Sequence, residues 1–219
     1  MSEAMSGLDA YFERISDGAL AGRWANEVNL LSQPQVDELS HLFASHPIVS
    51  RLGGLVLDDP ETSNHHVLLT KGPCAGQVLY LSHDDDSRVV FDSLNELVDA
   101  ASRTVECGAF LFELHPQCSP VSPNQAELAQ LIEEGLRDGA DDCVAMALIP
   151  SLELNDMTLL QRIAASSNFF ATEAIANEVS KRPEARLLPI ATLCSKHRHP
   201  QAAAAGKAAM AAIAAHGSS

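Results

Sequence analysis

The segment from Ser63 to Arg103 constrains the fold more than any other part of this 219-residue chain. Short β-branched and apolar runs at residues 65–70, 77–83 and 88–91 are typical of strands. A Gly/Pro turn separates the first run from the second, and an Asp-rich turn separates the second from the third. The pattern predicts three short strands that pair in sequence order as an antiparallel meander.

A helix is expected directly after the third strand. Ser93 and Glu96 have the spacing of a capping box, in which each residue satisfies a backbone N–H of the first turn. Apolar residues then recur at helical spacing and predict one buried face, namely Leu94, Leu97, Val98 and Ala101. A further strand is predicted at residues 55–57, after a kink at Gly53 and Gly54.

The N-terminal part of the chain carries weaker helical patterns. A first helix is predicted from the shared face of Leu8, Tyr11, Phe12 and Ile15, and a second from that of Leu20, Trp24, Val28 and Leu31. Trp24 is interpreted as a core anchor, with an exposed binding aromatic as the alternative. A third, short helix is predicted after Pro34, which suits the first turn of a helix.

Three prolines within residues 116–123 predict a linker between two domains. Residues 1–115 are predicted to form an α+β domain, a small antiparallel sheet with flanking helices. Residues 124–219 lack sustained strand alternation and are predicted to form an all-α helical domain.

The order of turns and strands resembles the SUKH superfamily, the Smi/Knr-type domains, over roughly residues 34–103. The resemblance is carried by the motif at residues 58–64 (Asp-Asp-Pro-Glu-Thr-Ser-Asn) and by Leu-Thr-Lys-Gly-Pro at 69–73, followed by the strands and Ser93-Leu94. Bacterial members of that superfamily are mostly toxin-immunity or protein-interaction domains. The resemblance therefore implies a protein-binding module without a catalytic centre, acting as an immunity-type protein that neutralises a cognate toxin.

The C-terminal end resembles one HEAT-like helical hairpin, at residues 186–194 and 201–215, with small residues that allow two helices to approach closely. Residues 181–219 hold six basic side chains against Glu184 alone. Two interpretations remain open for this basic end: docking onto the acidic part of the same chain, or contact with an acidic partner.

The formal net charge of −15 argues against a nucleic-acid binder, because such proteins place Lys and Arg on phosphates. The charge is compatible with a basic protein partner, such as a nuclease-like toxin. It is equally compatible with an acidic surface that serves solubility alone.

No apolar run approaches the roughly 20 residues of a membrane span, and no secretory signal pattern is evident at the N-terminus. Five irregularly spaced cysteines do not indicate a disulfide framework, so a reducing cytoplasm is expected.

The candidate partner-binding residues are acidic and lie in two turns: Asp58, Asp59, Glu61, Asp84, Asp85 and Asp86. The cluster from His83 to Asp86 has oxygen ligands of the kind that hard cations prefer, but it lacks the other spaced ligands of a calcium loop. Its alternatives are a solvated turn, a partner contact or a metal site.

No catalytic residue, cofactor or metal ligand is predicted, and the chain is not expected to be an enzyme. His65 and His66 should point to opposite faces of a strand, one packed and one exposed. Cys194, His197 and His199 could fill three corners of a Zn²⁺ site, although ordinary surface histidines fit as well. A metal-dependent hydrolase and a self-associating scaffold are the competing hypotheses.

Overall fold

The computed structural model describes residues 2–83, 87–138 and 142–217. Residue contacts divide the chain into two compact units, residues 1–124 and 125–219. The predicted mixed α+β class is confirmed, and the chain is rich in helix. None of the helices in the described ranges is long and apolar enough to cross a membrane.

The first unit contains the sheet and its flanking helices. Its elements are α1 (Ser2–Ile15), α2 (Gln33–Leu42), α3 (Pro47–Leu52), β1 (Gly54–Val56), β2 (His65–Leu69), β3 (Val78–Leu81), β4 (Arg88–Phe91) and α4 (Leu94–Cys107). Two 3₁₀ turns, Trp24–Asn26 and Leu111–Leu114, lie in the connections. The sheet order is β1-β2-β3-β4 with antiparallel neighbours throughout, so the predicted meander is confirmed.

The glycine pair before β1 is required by close packing. Gly53 ends α3 with φ +61°, a left-handed conformation that favours glycine. A Cβ on Gly54 would lie 2.6 Å from Cγ1 of Val67 on the paired strand β2. The left-handed Gly53 confirms the predicted kink at this pair. A side chain at Gly54 would force β1 and β2 apart.

Helix α4 covers the sheet as predicted. The Ser93 hydroxyl accepts the Glu96 N–H at 3.3 Å, while the Glu96 carboxylate accepts the N–H of Asp92 at 2.9 Å. In the predicted capping box the Glu96 side chain would accept the N–H of Ser93 itself. In the structure it accepts the N–H of the preceding residue, Asp92. All four residues of the predicted apolar face are buried, namely Leu94, Leu97, Val98 and Ala101, and they join the core with Tyr11 and Ile15 of α1.

The second predicted N-terminal helix is wrong. Residues 20–31 instead form an irregular loop around the Trp24–Asn26 turn, with isolated bridges between Arg23 and Val28 and between Leu30 and Asp58. Gly22 and Glu27 take left-handed conformations, which a continuous helix over these residues would not allow. The loop still buries Leu20, Val28, Leu30 and Leu31, but Trp24 is 46% exposed. The prediction of Trp24 as a core anchor is therefore wrong as well.

The predicted linker, residues 116–123, lies within the first unit. The Ser122 hydroxyl donates to the carbonyl of Pro73 at 2.7 Å, and the Gln77 amide donates to the carbonyl of Val121 at 3.1 Å. Arg88 of β4 donates to the Pro116 carbonyl at 2.7 Å. The prolines remove backbone donors, and these side chains fix the segment instead.

In the second unit every element in the described residues is helical. The helices are α5 (Gln125–Asp138), α6 (Asp142–Leu148), α7 (Met157–Ala164), α8 (Phe169–Lys181), α9 (Leu188–Ser195) and α10 (Pro200–His216), with 3₁₀ turns at Ile149–Ser151 and Ala185–Leu187. Glu178 of α8 is 1% exposed and pairs with Lys181 and Arg182, each at 2.8 Å. Part of the basic C-terminal end thus pairs with acids of its own unit.

The predicted close approach of the last two helices is found at Gly206. A Cβ at this position of α10 would overlap the backbone of Cys194 and Ser195 at the end of α9. The absence of a side chain is therefore what allows α10 to contact α9 here.

We expect Gly206→Ala to lower the free energy of unfolding by about 1–3 kcal/mol, the usual cost of overpacking, although alanine favours a helix over glycine. Chemical denaturation would measure this change. Gly7→Ala is the matched control, because a Cβ at Gly7 of α1 meets its nearest atom, Cδ1 of Leu94, only at 3.9 Å. An unchanged or raised stability of Gly206→Ala would contradict the close packing.

Candidate functional site

The predicted acidic turn at residues 58–61 divides into a buried and an exposed part. The Asp58 side chain is fully buried, and its two oxygens accept the backbone N–H of His66 at 2.6 Å and face His66 Nδ1 at 2.5 Å. Asp59 is half-buried and Glu61 is exposed. Only Asp59 and Glu61 of this predicted set can therefore present a carboxylate to a partner. Asp84, Asp85 and Asp86 lie outside the described residues.

The turn that holds Asp58 is fixed from three sides. The Tyr11 hydroxyl of α1 donates to the carbonyl of Leu57 at 3.0 Å, and Asn29 donates to the carbonyl of Asp59 at 2.8 Å. On the third side lies β2, whose His66 carbonyl accepts the N–H of Leu57 at 2.8 Å. Burial raises the pKa of the Tyr11 phenol far above its usual value, and the nearby charge of Asp58 raises it further. Tyr11 therefore remains a neutral donor.

His65 and His66 are both buried, so the expectation that one is exposed is wrong. The Nδ1 atom of His65 lies 3.0 Å from the carbonyl oxygen of Asp58, and its ring packs edge-on against Phe43 at 4.8 Å. Each histidine thus finds a partner in Asp58, one through the backbone and the other through the carboxylate. Buried polar groups with such partners avoid the cost of an unsatisfied hydrogen bond.

His66 also contacts His115, which follows the Leu111–Leu114 turn. Their Nε2 atoms lie 2.9 Å apart, so one of these two nitrogens carries the proton of the bond. The His115 ring packs against Tyr80 at 4.6 Å and Phe91 at 5.5 Å. Burial lowers the pKa of His115 to about 2, with smaller contributions from His66 and Arg88. His115 is accordingly neutral, and Asp58, His66 and His115 form one hydrogen-bonded chain, the Asp58–His66–His115 chain.

A small cavity lies beside this chain. Its walls include Glu27, Asp58, Thr62, Asn64, Tyr80 and Phe112. The volume of about 10 Å³ is room for about one water-sized group. The cavity therefore joins the buried Asp58–His66–His115 chain to side chains at the surface.

Three exposed aromatic rings lie on the two segments that contribute Glu27 and Phe112 to this cavity. Trp24, Phe110 and Phe112 are 46%, 40% and 46% exposed, and we call them the aromatic face. Phe110 and Phe112 stack with ring centroids 5.6 Å apart. Asn26 joins the Trp24 turn to this segment, because its side chain donates to the carbonyl of Ala109 at 2.8 Å.

Sequence reasoning missed most of these residues. Phe110 and Phe112 lie in a short apolar run whose periodicity does not distinguish a strand from a helix, and the 3₁₀ turn exposes them. His115 is the last residue before the predicted linker, and no spacing signal connects it with His66, 49 residues earlier. The alternative interpretation of Trp24, as an exposed binding aromatic, agrees with its observed exposure.

The second unit does not bring Cys194, His197 and His199 together. Cys194 is buried, and burial raises the pKa of its thiol to about 12. His197 Nδ1 accepts the N–H of His199 at 3.1 Å, and the His199 ring stacks on Phe169 at 3.7 Å. Among the residues that the structure describes, no group of three His, Cys, Asp or Glu side chains is arranged to hold a metal ion.

Comparison of the chain with protein-family models, with curated proteins and with solved structures finds no match. The resemblance to SUKH domains stays a prediction. Inferences about function therefore depend on the geometry of the site itself.

Acid should destabilise the fold partly through His115. Its pKa is about 2 in the folded chain but near 6.5 when unfolded, so the unfolded state takes up a proton below about pH 6.5 that the folded state does not. Above pH 6.5 this proton uptake does not affect stability. Below pH 6.5 it reduces the free energy of unfolding by up to about 1.4 kcal/mol per pH unit.

We expect His115→Gln to show a shallower loss of stability between pH 6.5 and pH 4 than the wild type, measured by urea unfolding at each pH. His41→Gln, which removes an exposed histidine of α2, is the control and should keep the wild-type slope. Equal slopes for wild type and His115→Gln would show that His115 is not held neutral by the fold.

Asp58→Asn should lower the free energy of unfolding by about 1.5–3 kcal/mol, because it replaces the charged acceptor of two buried hydrogen bonds. Asp59→Asn changes the neighbouring, half-buried carboxylate and should cost less than about 0.5 kcal/mol. Denaturant unfolding of both variants at pH 7 measures the difference. Similar costs would mean that the Asp58–His66 pair does not stabilise the sheet.

Proposed function

We propose that the chain is a non-catalytic protein-binding module whose aromatic face takes a basic protein partner. The observation that carries this proposal is the aromatic face itself, which leaves Trp24, Phe110 and Phe112 exposed on two segments that the Asn26–Ala109 hydrogen bond joins. Large apolar side chains exposed together are unusual on a monomeric surface and mark interaction sites.

The aromatic face has the composition of an energetic centre of an interface. Trp is among the residues that most often dominate binding energy, and aromatic rings in general bury large areas with few torsions to fix. The turn that carries Phe110 and Phe112 is held by Glu113, whose carboxylate accepts the N–H of Phe110 at 2.9 Å. Anchors that are already ordered lose less conformational freedom on binding.

Charge favours a basic partner over a second copy of this chain. The first unit holds 18 acidic and 6 basic residues, a net charge of −12. Glu27 is an acid close to the aromatic face, because it lines the same cavity as Phe112. A negative surface attracts a basic protein during encounter, whereas two copies of an acidic surface repel each other.

The resemblance to SUKH domains gives the proposal its most specific form. On that basis the chain is an immunity-type protein, and the partner is a toxin whose active site it covers. A nuclease toxin suits the charge, because a surface that binds phosphates is basic. The proposal gives the Asp58–His66–His115 chain no catalytic step: its side chains support the acidic turn beneath the aromatic face.

Capture from the native cell, with the full tagged chain as bait, tests the proposal. We expect a single basic protein to be retained by the wild type and lost with Trp24→Ala or Phe112→Ala, since truncating a central anchor costs about 2 kcal/mol or more, roughly a 30-fold loss of affinity. Phe170→Ala is the matched control, because Phe170 is a 53% exposed phenylalanine of the second unit.

Retention of the same partner by both aromatic variants would contradict the assignment of the face. If the partner is a toxin, the purified wild-type chain should abolish its activity at an equimolar ratio, and Phe112→Ala should not. If a captured partner binds through Trp24 and Phe112 but keeps its full activity, the chain is a binding module and the immunity role is excluded.

A further inference from the structure

An acidic residue, Glu27, lines the cavity beside the Asp58–His66–His115 chain. Glu27 is half-buried, and among the described residues no hydrogen bond or ion pair engages its side chain. Its backbone takes the left-handed conformation, φ 52° and ψ 41°, which is uncommon for a residue with a side chain. Such conformations are found where the surrounding structure enforces them, and they concentrate at binding sites.

The other polar groups that line the cavity already have partners. The Asp58 carboxylate is bound by His66, and the Thr62 hydroxyl accepts the N–H of Asn64 at 3.2 Å. The side-chain Oδ1 of Asn64 accepts the N–H of His83 at 2.9 Å. Among the described residues that line the cavity, Glu27 is thus the charged acceptor still available to a ligand.

The remaining walls favour a cation. Tyr80 and Phe112 are among the residues that line the cavity, and the faces of aromatic rings attract ammonium and guanidinium groups. The floor does not oppose a positive charge, because His115 is neutral and any charge on His66 is balanced by Asp58. Arg88 is not among the residues that line the cavity, and its guanidinium donates to the carbonyl of Pro116 at 2.7 Å.

We propose that this cavity binds the ammonium group of a lysine side chain presented by the partner, with Glu27 as its counter-ion and Tyr80 and Phe112 as its walls. The size of the cavity selects the group: about 10 Å³ accommodates an ammonium, which is close to water in size, but not a planar guanidinium. The inference rests on the proposed function, because the lysine belongs to the protein that docks on the aromatic face.

Titration of the isotope-labelled full chain with Nα-acetyl-lysine methylamide, followed by NMR at constant ionic strength, tests the cavity without knowledge of the partner. We expect saturable shifts of the signals of Glu27, Asn64 and Tyr80. The norleucine analogue, which lacks the ammonium, and the arginine analogue, which is too large, should not produce them. An equal response to either analogue, or no saturable response to lysine, would overturn the proposal.

Glu27→Gln should weaken the lysine response at least about tenfold, because it removes the charged acceptor. Glu38→Gln is the matched control, since it makes the same change at an exposed position of α2. Equal affinity of Glu27→Gln and wild type would overturn the role of Glu27. If Glu27→Gln does not fold, the wild-type chain still tests the cavity, because a response to the norleucine analogue equal to that of lysine would overturn the proposal.

Failure of this inference can be told apart from failure of the proposed function. A basic partner that depends on Trp24 and Phe112, together with no lysine response, overturns the lysine cavity alone. A lysine response that is specific to Glu27, with no partner captured through the aromatic face, supports the cavity as a site and overturns the function proposed for it.

Discussion

The contact on which the first unit most depends is the one between the buried carboxylate of Asp58 and His66. Asp58 follows β1, and His66 lies on β2, which pairs with both β1 and β3. Through His66 the carboxylate is linked to His115, and hence to the segment that follows α4. One acidic side chain therefore connects the edge of the sheet, its centre and the chain that returns from its covering helix. Burying a carboxylate without hydrogen-bond partners would destabilise the folded state. The turn is therefore restricted to the arrangement in which Asp58 keeps its bonds to His66.

The surface features follow from that arrangement. Residues 29–31 bond to residues 57–59, which fixes the end of the loop that exposes Trp24. His115 anchors the chain directly after the Leu111–Leu114 turn, whose Phe112 lines the cavity with Glu27. Two irregular segments that would otherwise be free to vary are thus held against a rigid sheet. This is the usual division between a scaffold that supplies order and loops that supply contacts.

The parts of the fold that could be predicted from the sequence are those in which local chemistry and packing agree. The meander could be read from alternating strands and turn residues, and α4 from its cap and apolar face. The loop at residues 20–31 could not, because Leu20, Val28 and Leu31 have helical spacing yet are buried by an irregular path that the left-handed Gly22 permits. Asp58 was recognised as part of a candidate site, but its burial depends on a histidine whose partner lies 49 residues away. Pairing across the sheet leaves no trace in local periodicity, so the Asp58–His66–His115 chain was not foreseeable from one sequence.

The exposure of the aromatic face is informative because the same unit has a well-packed core of large apolar side chains, although Leu42 and Val121 are exposed as well. Leu52, Leu57, Leu68, Leu69, Leu79 and Leu97 are at most 1% exposed, so the unit does not lack room or order for a core. Trp24 and Phe112 remain outside because 3₁₀ turns carry them, and at Glu27 the chain leaves one of those turns in an unfavourable left-handed conformation. A unit that leaves three aromatic rings partly exposed, and among its described residues leaves the Glu27 carboxylate without a partner, forgoes stability that burial and pairing would supply. Such a sacrifice is typical of surfaces whose missing contacts come from another molecule, and it favours a binding role for this side of the unit over a purely structural one.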